Sequence, residues 1–325
     1  MSRWKGPLFL FLAFSLAGTS VIAARFVSEK LGTFTITAVS LFAALLILIP
    51  ASGKKLLLSL SVMSIKSYLL IVLQAVFGIF LFRCLLLYGL LYTGSIEAGI
   101  LTGATPAITA IFAMLFLKEA PTSKKLIGVV STVIGILLIQ GILIHRLGFS
   151  GTHLVGNLLV LCAAACESIF NILSRAAVIR DAAYERAPIN PLLQTTIVTV
   201  IALLLCVIPA LFESPFQRLA KIGYTEWLAL FWYGLFVTAL AFVFWYAGIK
   251  RCEAFTAAAF SGMMPFTSML LSVIVLREQA GWLQWLGGLL VIVGMVLIGT
   301  GSSPGMHPIL HRKRRRWVYK NDCNT

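Results

Sequence analysis

Long apolar stretches separated by short polar segments make up most of this chain. A helix needs about 20 mostly apolar residues to cross a bilayer core of about 30 Å. Ten stretches bounded by charged or turn residues fit this requirement: 8–27, 33–49, 68–89, 96–117, 126–144, 154–173, 192–211, 227–249, 255–276 and 282–299. The pattern therefore predicts an all-α polytopic membrane protein with ten transmembrane helices, called spans 1 to 10 in chain order.

Composition strengthens this prediction. The 325 residues are 60% hydrophobic and 11% charged, and the mean hydropathy is +0.98, far from the composition of a soluble domain. Cys162 and Cys166 lie one helical turn apart without a nearby His or further Cys, so they are interpreted as packing residues. The sequence predicts no metal site and no cofactor.

The basic residues indicate the topology. With the N-terminus inside, 19 of the 26 Lys and Arg residues fall in inner segments and six in outer loops. The positive-inside rule then predicts a multi-pass protein of the cell (inner) membrane with both termini cytoplasmic. The tail, residues 301–325, contains "HRKRRRWVYK", for which contact with anionic lipid is a simpler prediction than nucleic-acid binding.

The second half of the chain repeats the first. A shift of 159 residues matches Lys118-Glu119 with Arg277-Glu278 and, without a gap, Pro106 with Pro265. Nearer the N-terminus the shift is 150, because the second half holds about nine extra residues around "RDAAYERAP". Five spans per unit is an odd number, so the units enter the membrane from opposite sides, as in many secondary transporters. The predicted units are residues 6–144 and 154–300.

The paired motifs resemble the EamA family of the drug/metabolite transporter superfamily. The segments that carry the resemblance are "SIEAGILTGATPAITAIFAMLFLKEAPTSKKLIGVVSTVIGILL" and "AFTAAAFSGMMPFTSMLLSVIVLREQAGWLQWLGGLLVIVGMVLI". The resemblance covers residues 6–300. It implies a ten-helix carrier built from two five-helix repeats, in a family that exports amino acids, other metabolites and drugs.

Two prolines and two acids recur in both halves. Pro106 and Pro265 are predicted near the middle of spans 4 and 9, where a proline removes a backbone hydrogen bond and permits a kink. That kink is either a hinge for alternating access or a fixed bend. Glu119 and Glu278 follow these spans on opposite faces and are interpreted as capping or interfacial groups rather than gates.

Two charges fall inside predicted spans. Arg83 lies in span 3 and Glu167 in span 6, and such residues are expected to face the bundle interior or a water-filled cavity. Counting from the predicted span ends at 1.5 Å per residue puts them about 10 Å apart in depth, which favours lining one cavity over direct pairing. Arg83 would then meet an anionic group, while Glu167 would meet a cationic group or carry a coupling proton.

Four further residues are lesser candidates for substrate binding or coupling. Asn171 is one turn from Glu167, and Ser15 and Thr19 are one turn apart on span 1. Glu97, at the start of span 4, is either an entry charge or a helix N-terminal group.

The resulting functional hypothesis is a secondary transporter that exports a small metabolite, with amino acids and their analogues as the first candidates because a zwitterion suits Arg83 and Glu167. The alternatives are a drug efflux carrier and a non-transporting sensor or scaffold, and a homodimer stays open. An enzyme is disfavoured, because all four histidines lie outside the spans and no catalytic spacing is present.

Overall fold

The computed structural model describes residues 4–27, 30–56, 63–90, 92, 101–102, 104–119, 122–139, 154–183, 189–275, 277 and 280–301. Within these residues the regular structure is entirely helical. The described helices of the first half are α1 Lys5–Gly18, α2 Ser20–Arg25, α3 Thr33–Ser52, α4 (65–90), α5 Thr105–Leu117 and α6 Ser123–Ile139. Those of the second half are α7 Leu154–Ala183, α8 Pro191–Leu211, α9 Pro215–Leu219, α10 Tyr224–Ile249, α11 Ala254–Phe260, α12 Met263–Val275 and α13 Trp282–Gly301.

Six of these helical segments are long and apolar enough to cross a membrane: Thr33–Ser52, Ile65–Leu86, Leu154–Asp181, Pro191–Leu211, Tyr224–Ile249 and Ala254–Val275. Shorter apolar helices are Lys5–Gly18, Thr105–Leu117 and Trp282–Ile298. The prediction of an all-helical polytopic protein is confirmed at this level, and the count of ten spans stays a prediction. The face of the bundle on which α1 begins, predicted to be cytoplasmic, is called the near face below, and the opposite one the far face.

Helix packing follows the correspondence between the two halves. The contacts that join the two halves include those of α3 with α8, of α6 with α13, and of α5 with α11. Other contacts occur in matching pairs: α4 packs on α7 as α10 packs on α1, and α5 packs on α7 as α12 packs on α1. Each helix therefore has the neighbours that its counterpart has in the other half.

Glycines allow the closest of these approaches, between α6 and α13. A Cβ at Gly128 would lie 2.8 Å from the carbonyl oxygen of Gly294, and a Cβ at Gly135 would lie 2.6 Å from that of Gly287. These carbonyls belong to backbone, which cannot move aside, so glycine permits a contact that a larger residue would separate.

Both prolines lie at the beginning of a helix, which corrects the expectation that they lie mid-helix. Pro106 is in the first turn of α5 and Pro265 in the first turn of α12, after a break at Ser261–Gly262 that ends α11. A proline in the first turn has no intrahelical partner for its missing N–H, so neither removes an internal hydrogen bond. The apolar pattern continued across the break, which is why span 9 was predicted as one helix.

Two π-helical segments occupy matching positions. In α4 the segment is Val76–Leu81, and in α10 it is Tyr233–Leu240. A shift of 159 places the first segment on residues 235–240, inside the second. Short π segments within α-helices are frequent at functional sites; Arg83 lies just after the first segment, and Tyr233 begins the second.

Candidate functional site

Arg83 is held between two helices by neutral oxygens. It lies on α4 just after the π segment, is half-buried, and donates to Thr37 Oγ1 of α3 at 2.5 Å and to the Tyr233 hydroxyl of α10 at 3.3 Å. The guanidinium carbon also lies 5.4 Å from the centre of the Tyr233 ring, a cation–π distance. Thr37, Arg83 and Tyr233 are called the charged cluster.

Glu167 belongs to a polar seam between α7 and α5. It accepts a hydrogen bond from Thr105 Oγ1 at 3.2 Å. Ser168 accepts from Thr109 Oγ1 at 3.1 Å, and Asn171 Nδ2 donates to the same Thr109 oxygen at 3.4 Å. Asn171 therefore lies on the same line of polar contacts as Glu167, as the one-turn spacing predicts.

Arg83 and Glu167 lie at similar depths, which corrects the offset of about 10 Å inferred from the sequence. α4 and α7 are antiparallel, with Gly78 against Phe170 and Gly89 against Val160. This register places Arg83 opposite residue 165 or so, roughly two residues or about 3 Å from the level of Glu167. The sequence estimate failed because α7 continues to Ala183, ten residues past the predicted end at Leu173.

Similar depth does not produce a pair. Within the described residues no ion pair at 4 Å or less joins Arg83 to Glu167, because the first points towards α3 and α10 and the second towards α5. Two opposite charges thus stand near the middle of the bundle on adjacent helices, each with neutral partners.

Ser15 and Thr19 have different surroundings. The Ser15 hydroxyl is buried and has no hydrogen-bond partner among the described residues. Thr19 lies at the break between α1 and α2, where its Oγ1 donates to the Leu16 carbonyl at 2.7 Å and accepts from Trp232 Nε1 at 3.0 Å. Thr19 therefore connects the end of α1 to α10, and Ser15 keeps a free donor inside the bundle.

A second polar cluster lies between α4, α8 and α10. Gln74 Oε1 accepts from Gln194 Nε2 at 3.0 Å and from the Tyr246 hydroxyl at 2.9 Å, and Gln74 Nε2 donates to the Leu173 carbonyl at 3.5 Å. Gln74 is 0% exposed and Tyr246 1%. Gln74, Gln194 and Tyr246 are called the neutral cluster, and its members satisfy one another.

Glu119 caps a helix of the other half. It follows Lys118, whose φ of 53° ends α5 in the left-handed conformation. Its carboxylate accepts from the backbone N–H groups of Ala254 at 3.0 Å and Phe255 at 3.3 Å, the start of α11. The capping interpretation agrees with this geometry, with the difference that the capped helix lies in the second half.

Further charges surround Glu119 at the near face. Arg175 Nε lies 3.6 Å from its carboxylate, and the buried Lys125 bonds to Glu253. Burial raises the pKa of the Glu119 carboxyl above its ordinary value, and the two backbone N–H groups and Arg175 oppose that shift. These contacts hold the near-face ends of α5, α6, α7 and α11 together.

Some predicted features lie outside the described residues. These are Glu97, Glu278 and the basic tail from residue 302 onward, so their assigned roles stay predictions, as do the lipid contact and the homodimer. In the part of the chain that the structure describes, no group of three or more His, Cys, Asp or Glu side chains is arranged to hold a metal ion.

The sequence singled out both charges and missed their partners. Tyr233 and Thr37 are uncharged and do not stand out in apolar segments. One signal marks them: Tyr233 is 159 residues after Gln74 and Thr196 is 159 after Thr37, so the shift that aligns the glycines also aligns polar residues of spans 2 and 3 with polar residues of spans 7 and 8.

Long apolar helices around intramembrane charges define a multi-pass membrane protein with a polar interior. Comparison with known proteins makes this class specific. The pattern of the EamA-like transporter family matches residues 4–141 and again 154–300. The chain belongs to this family and is a membrane transporter.

Relatives agree with this assignment, and a solved structure shares the fold. The chain is 28% identical over 307 residues to the uncharacterized transporter YetK of Bacillus subtilis (strain 168), covering 93% of this chain and 89% of that protein. It is 31% identical over 230 residues to the uncharacterized transporter YyaM of the same strain, covering 70% and 71%. A crystal structure superposes with a TM-score of 0.74 at 20% identity, covering 91% of this chain and 97% of that one, and so shares the fold.

Proposed function

We propose that this protein is a secondary carrier that exports a small metabolite from the cell by alternating access, with Glu167 carrying a proton or the cationic group of the solute. Amino acids and their analogues are the first candidates for the solute. The transporter family supports the carrier, and the two opposite charges near mid-bundle support a zwitterion.

The observation that carries this proposal is the position of Glu167. A carboxylate in a membrane-spanning segment is costly, and residues of this kind commonly mark an ion or substrate pathway. Glu167 is half-buried and receives one hydrogen bond, from Thr105. One hydroxyl leaves most of the acceptor capacity of a carboxylate unused, so a proton or an ammonium group can bind there.

The arrangement of the halves supports alternating access. Repeats of opposite orientation commonly rock about a central site formed by discontinuous helices. Here α11 and α12 are separated by the break at Ser261–Gly262, and the near-face contacts of Glu119 join the first half to the second. Release of these contacts is the change expected to open the near face.

Metabolite profiling of cells and medium, with and without the protein, tests the carrier, followed by reconstitution of each changed metabolite in proteoliposomes. We expect uphill flux driven by a pH gradient. Glu167→Gln is expected to lower gradient-driven flux at least tenfold. Glu226→Gln is the matched control, because Glu226 is paired with Lys30 at the far-face start of α10, and its flux should stay within twofold of the parent.

The same assay separates the alternatives. Flux restricted to large amphipathic compounds would identify a drug efflux carrier instead of a metabolite exporter. Absence of flux for every changed metabolite, with correctly folded protein in the vesicles, would contradict the carrier and leave a sensor or scaffold. Unchanged flux and pH dependence in Glu167→Gln would remove the role given to that residue.

A further inference from the structure

We infer that Arg83 and Tyr233, positioned by Thr37, form a carboxylate-binding site, so that the transported solute carries a carboxylate group. This inference rests on the proposed carrier function and names the chemical class of its solute. Tyr233 becomes a residue that determines specificity. Four features of the described residues support the site.

The first feature is an unneutralised cation. No Asp or Glu oxygen lies within 4 Å of the Arg83 side chain among the described residues, and its two hydrogen-bond partners are hydroxyl groups. The other ion pairs of the described chain lie towards the two faces of the bundle. A guanidinium stays charged in a protein, and an intramembrane cation without an acidic partner marks a pathway for a substrate or ion.

The second feature is a surplus of hydrogen-bond donors. Thr37 donates its own proton to the Thr33 carbonyl at 2.7 Å, so its oxygen serves Arg83 as an acceptor and fixes the guanidinium. Tyr233 accepts from Arg83, and its own O–H has no acceptor among the described residues. The Tyr233 proton and the remaining guanidinium N–H groups are adjacent donors, which matches the two oxygens of a carboxylate.

The third feature is the corresponding position in the other half. A shift of 159 takes Thr37 to Thr196 and Gln74 to Tyr233, and it takes Arg83 to Phe242. Gln74 belongs to the neutral cluster, whose three side chains bond to one another and to the Leu173 carbonyl and are buried. Of the two polar clusters, only the one with Tyr233 combines a cation with a half-buried position.

The fourth feature is the backbone that presents Tyr233. This residue is the first of the π-helical segment in α10, and Thr238 Oγ1 donates to its carbonyl at 3.1 Å, across five residues. The hydroxyl of Thr238 thus bonds across the widened turn in which Tyr233 lies. π segments of this kind recur at binding sites.

The test uses the full-length protein in proteoliposomes and compares the free acids of the twenty amino acids with their C-terminal amides as competitors for counterflow. An amide keeps the size and the ammonium group and removes the negative charge. We expect the acids to compete at concentrations at least tenfold lower than the amides. Arg83→Gln is expected to abolish this preference, and Arg83→Lys to retain part of it, because Lys keeps the charge without the fork geometry.

Tyr233→Phe isolates the phenol, because it keeps the ring and removes the donor. The loss of one hydrogen bond to a charged group predicts an acid preference reduced about tenfold. Tyr224→Phe is the matched control: Tyr224 begins the same helix, is 82% exposed, and should leave the preference unchanged. Thermal unfolding of each purified variant confirms that the fold is retained.

Each outcome decides between the two proposals. Competition by amides as strong as by acids, or an acid preference that survives Arg83→Gln, overturns the carboxylate site while the carrier stands. Absence of competition by both series, together with an unchanged metabolite profile, overturns the carrier and the site with it. An acid preference that depends on Arg83 and Tyr233 supports both.

Discussion

The charged cluster and the neutral cluster share one pair of corresponding residues, Tyr233 and Gln74, and they differ in charge and in exposure to solvent. In the neutral cluster Gln74 accepts from Gln194 and Tyr246 and donates to a carbonyl, and it is 0% exposed. In the charged cluster Arg83 is half-buried and bonds to Thr37 and Tyr233. The neutral cluster is sealed from solvent, whereas the charged cluster holds a half-buried cation.

The difference shows how duplication permits specialisation. Both clusters join a helix of one half to helices of the other, next to a π segment, so both hold the halves together. A structural contact of this kind needs only satisfied polar groups. Arg83 stands where the other half has Phe242, so the scaffold does not need a charge at this position. We therefore infer that the charge of Arg83 serves to bind the solute.

The largest expected effect comes from making the two halves alike. Arg83→Phe introduces the residue found at the matching position, Phe242, and removes the charge. Counterflow of carboxylate solutes should fall about a hundredfold, since a hydrogen-bonded charge contact contributes roughly 1.5–3 kcal/mol per bond. Phe242→Leu is the control for repacking and should retain most of the counterflow. Equal losses of counterflow in both variants would contradict the difference proposed between Arg83 and Phe242.

Disrupting the neutral cluster should lower the stability of the protein and leave its preference for acids over amides unchanged. Gln74→Leu removes the acceptor of Gln194 and Tyr246 and leaves two buried donors unsatisfied. The expected cost is about 2–4 kcal/mol in the free energy of unfolding, visible as a lower melting temperature in detergent. Gln217→Leu, on the exposed surface of α9, should leave it unchanged.

The acid preference in counterflow provides the second measurement on Gln74→Leu. It should stay within twofold of the parent. A lost preference with an unchanged melting temperature would assign recognition to the neutral cluster and reverse the comparison.

Thr37 and Thr196 correspond at the shift of 159, and their substitutions should have smaller effects on different quantities: the first on solute binding, the second on stability. Thr37→Val removes the acceptor that fixes Arg83, so half-saturation by acids should rise about threefold to tenfold. Thr196→Val removes a hydroxyl that bonds to Ser52 at 2.8 Å, so it should cost about 1 kcal/mol of stability without changing half-saturation. Counterflow and thermal unfolding of both variants test this difference. Equal changes in half-saturation, or equal changes in stability, would contradict it.

Much of the fold could be predicted from the sequence, because hydropathy and repeated glycines report on lipid exposure and close packing. The same signals do not show helix breaks: the apolar run crosses Ser261–Gly262, and Pro265 looks internal although it begins α12. The same signals do not show where a helix ends. α7 extends to Ala183, and this error misplaced Glu167 in depth relative to Arg83.

The site was predicted only as far as charge marks it. Arg83 and Glu167 are conspicuous in apolar segments, and Asn171 follows from helical spacing. Tyr233 and Thr37 are residue types common in membrane helices, so their role depends on which helices meet, and that is decided by packing between the halves. Charge identifies an intramembrane site, whereas its neutral partners require the tertiary structure.

The smallest predicted effect concerns the near-face border of the neutral cluster. Lys250 lies one turn after Tyr246 and donates to the Ile189 carbonyl. Burial, with a smaller effect of Arg251, lowers the pKa of Lys250 from 10.5 to about 8, and Asp181 opposes this. Between these values the unfolded chain binds a proton that the folded protein releases, so this residue makes stability rise with pH.

Lys250→Met removes this titration. Between pH 7.5 and pH 9.5, the melting temperature of the parent relative to the variant should therefore rise by about 1–3 °C. Thermal unfolding of both proteins at the two pH values, in one detergent and at one ionic strength, measures the difference. A constant or falling difference would mean that Lys250 is as hydrated as a surface lysine. The neutral cluster would then be open at its near-face border, and the contrast with the half-buried Arg83 would rest on hydrogen bonding alone.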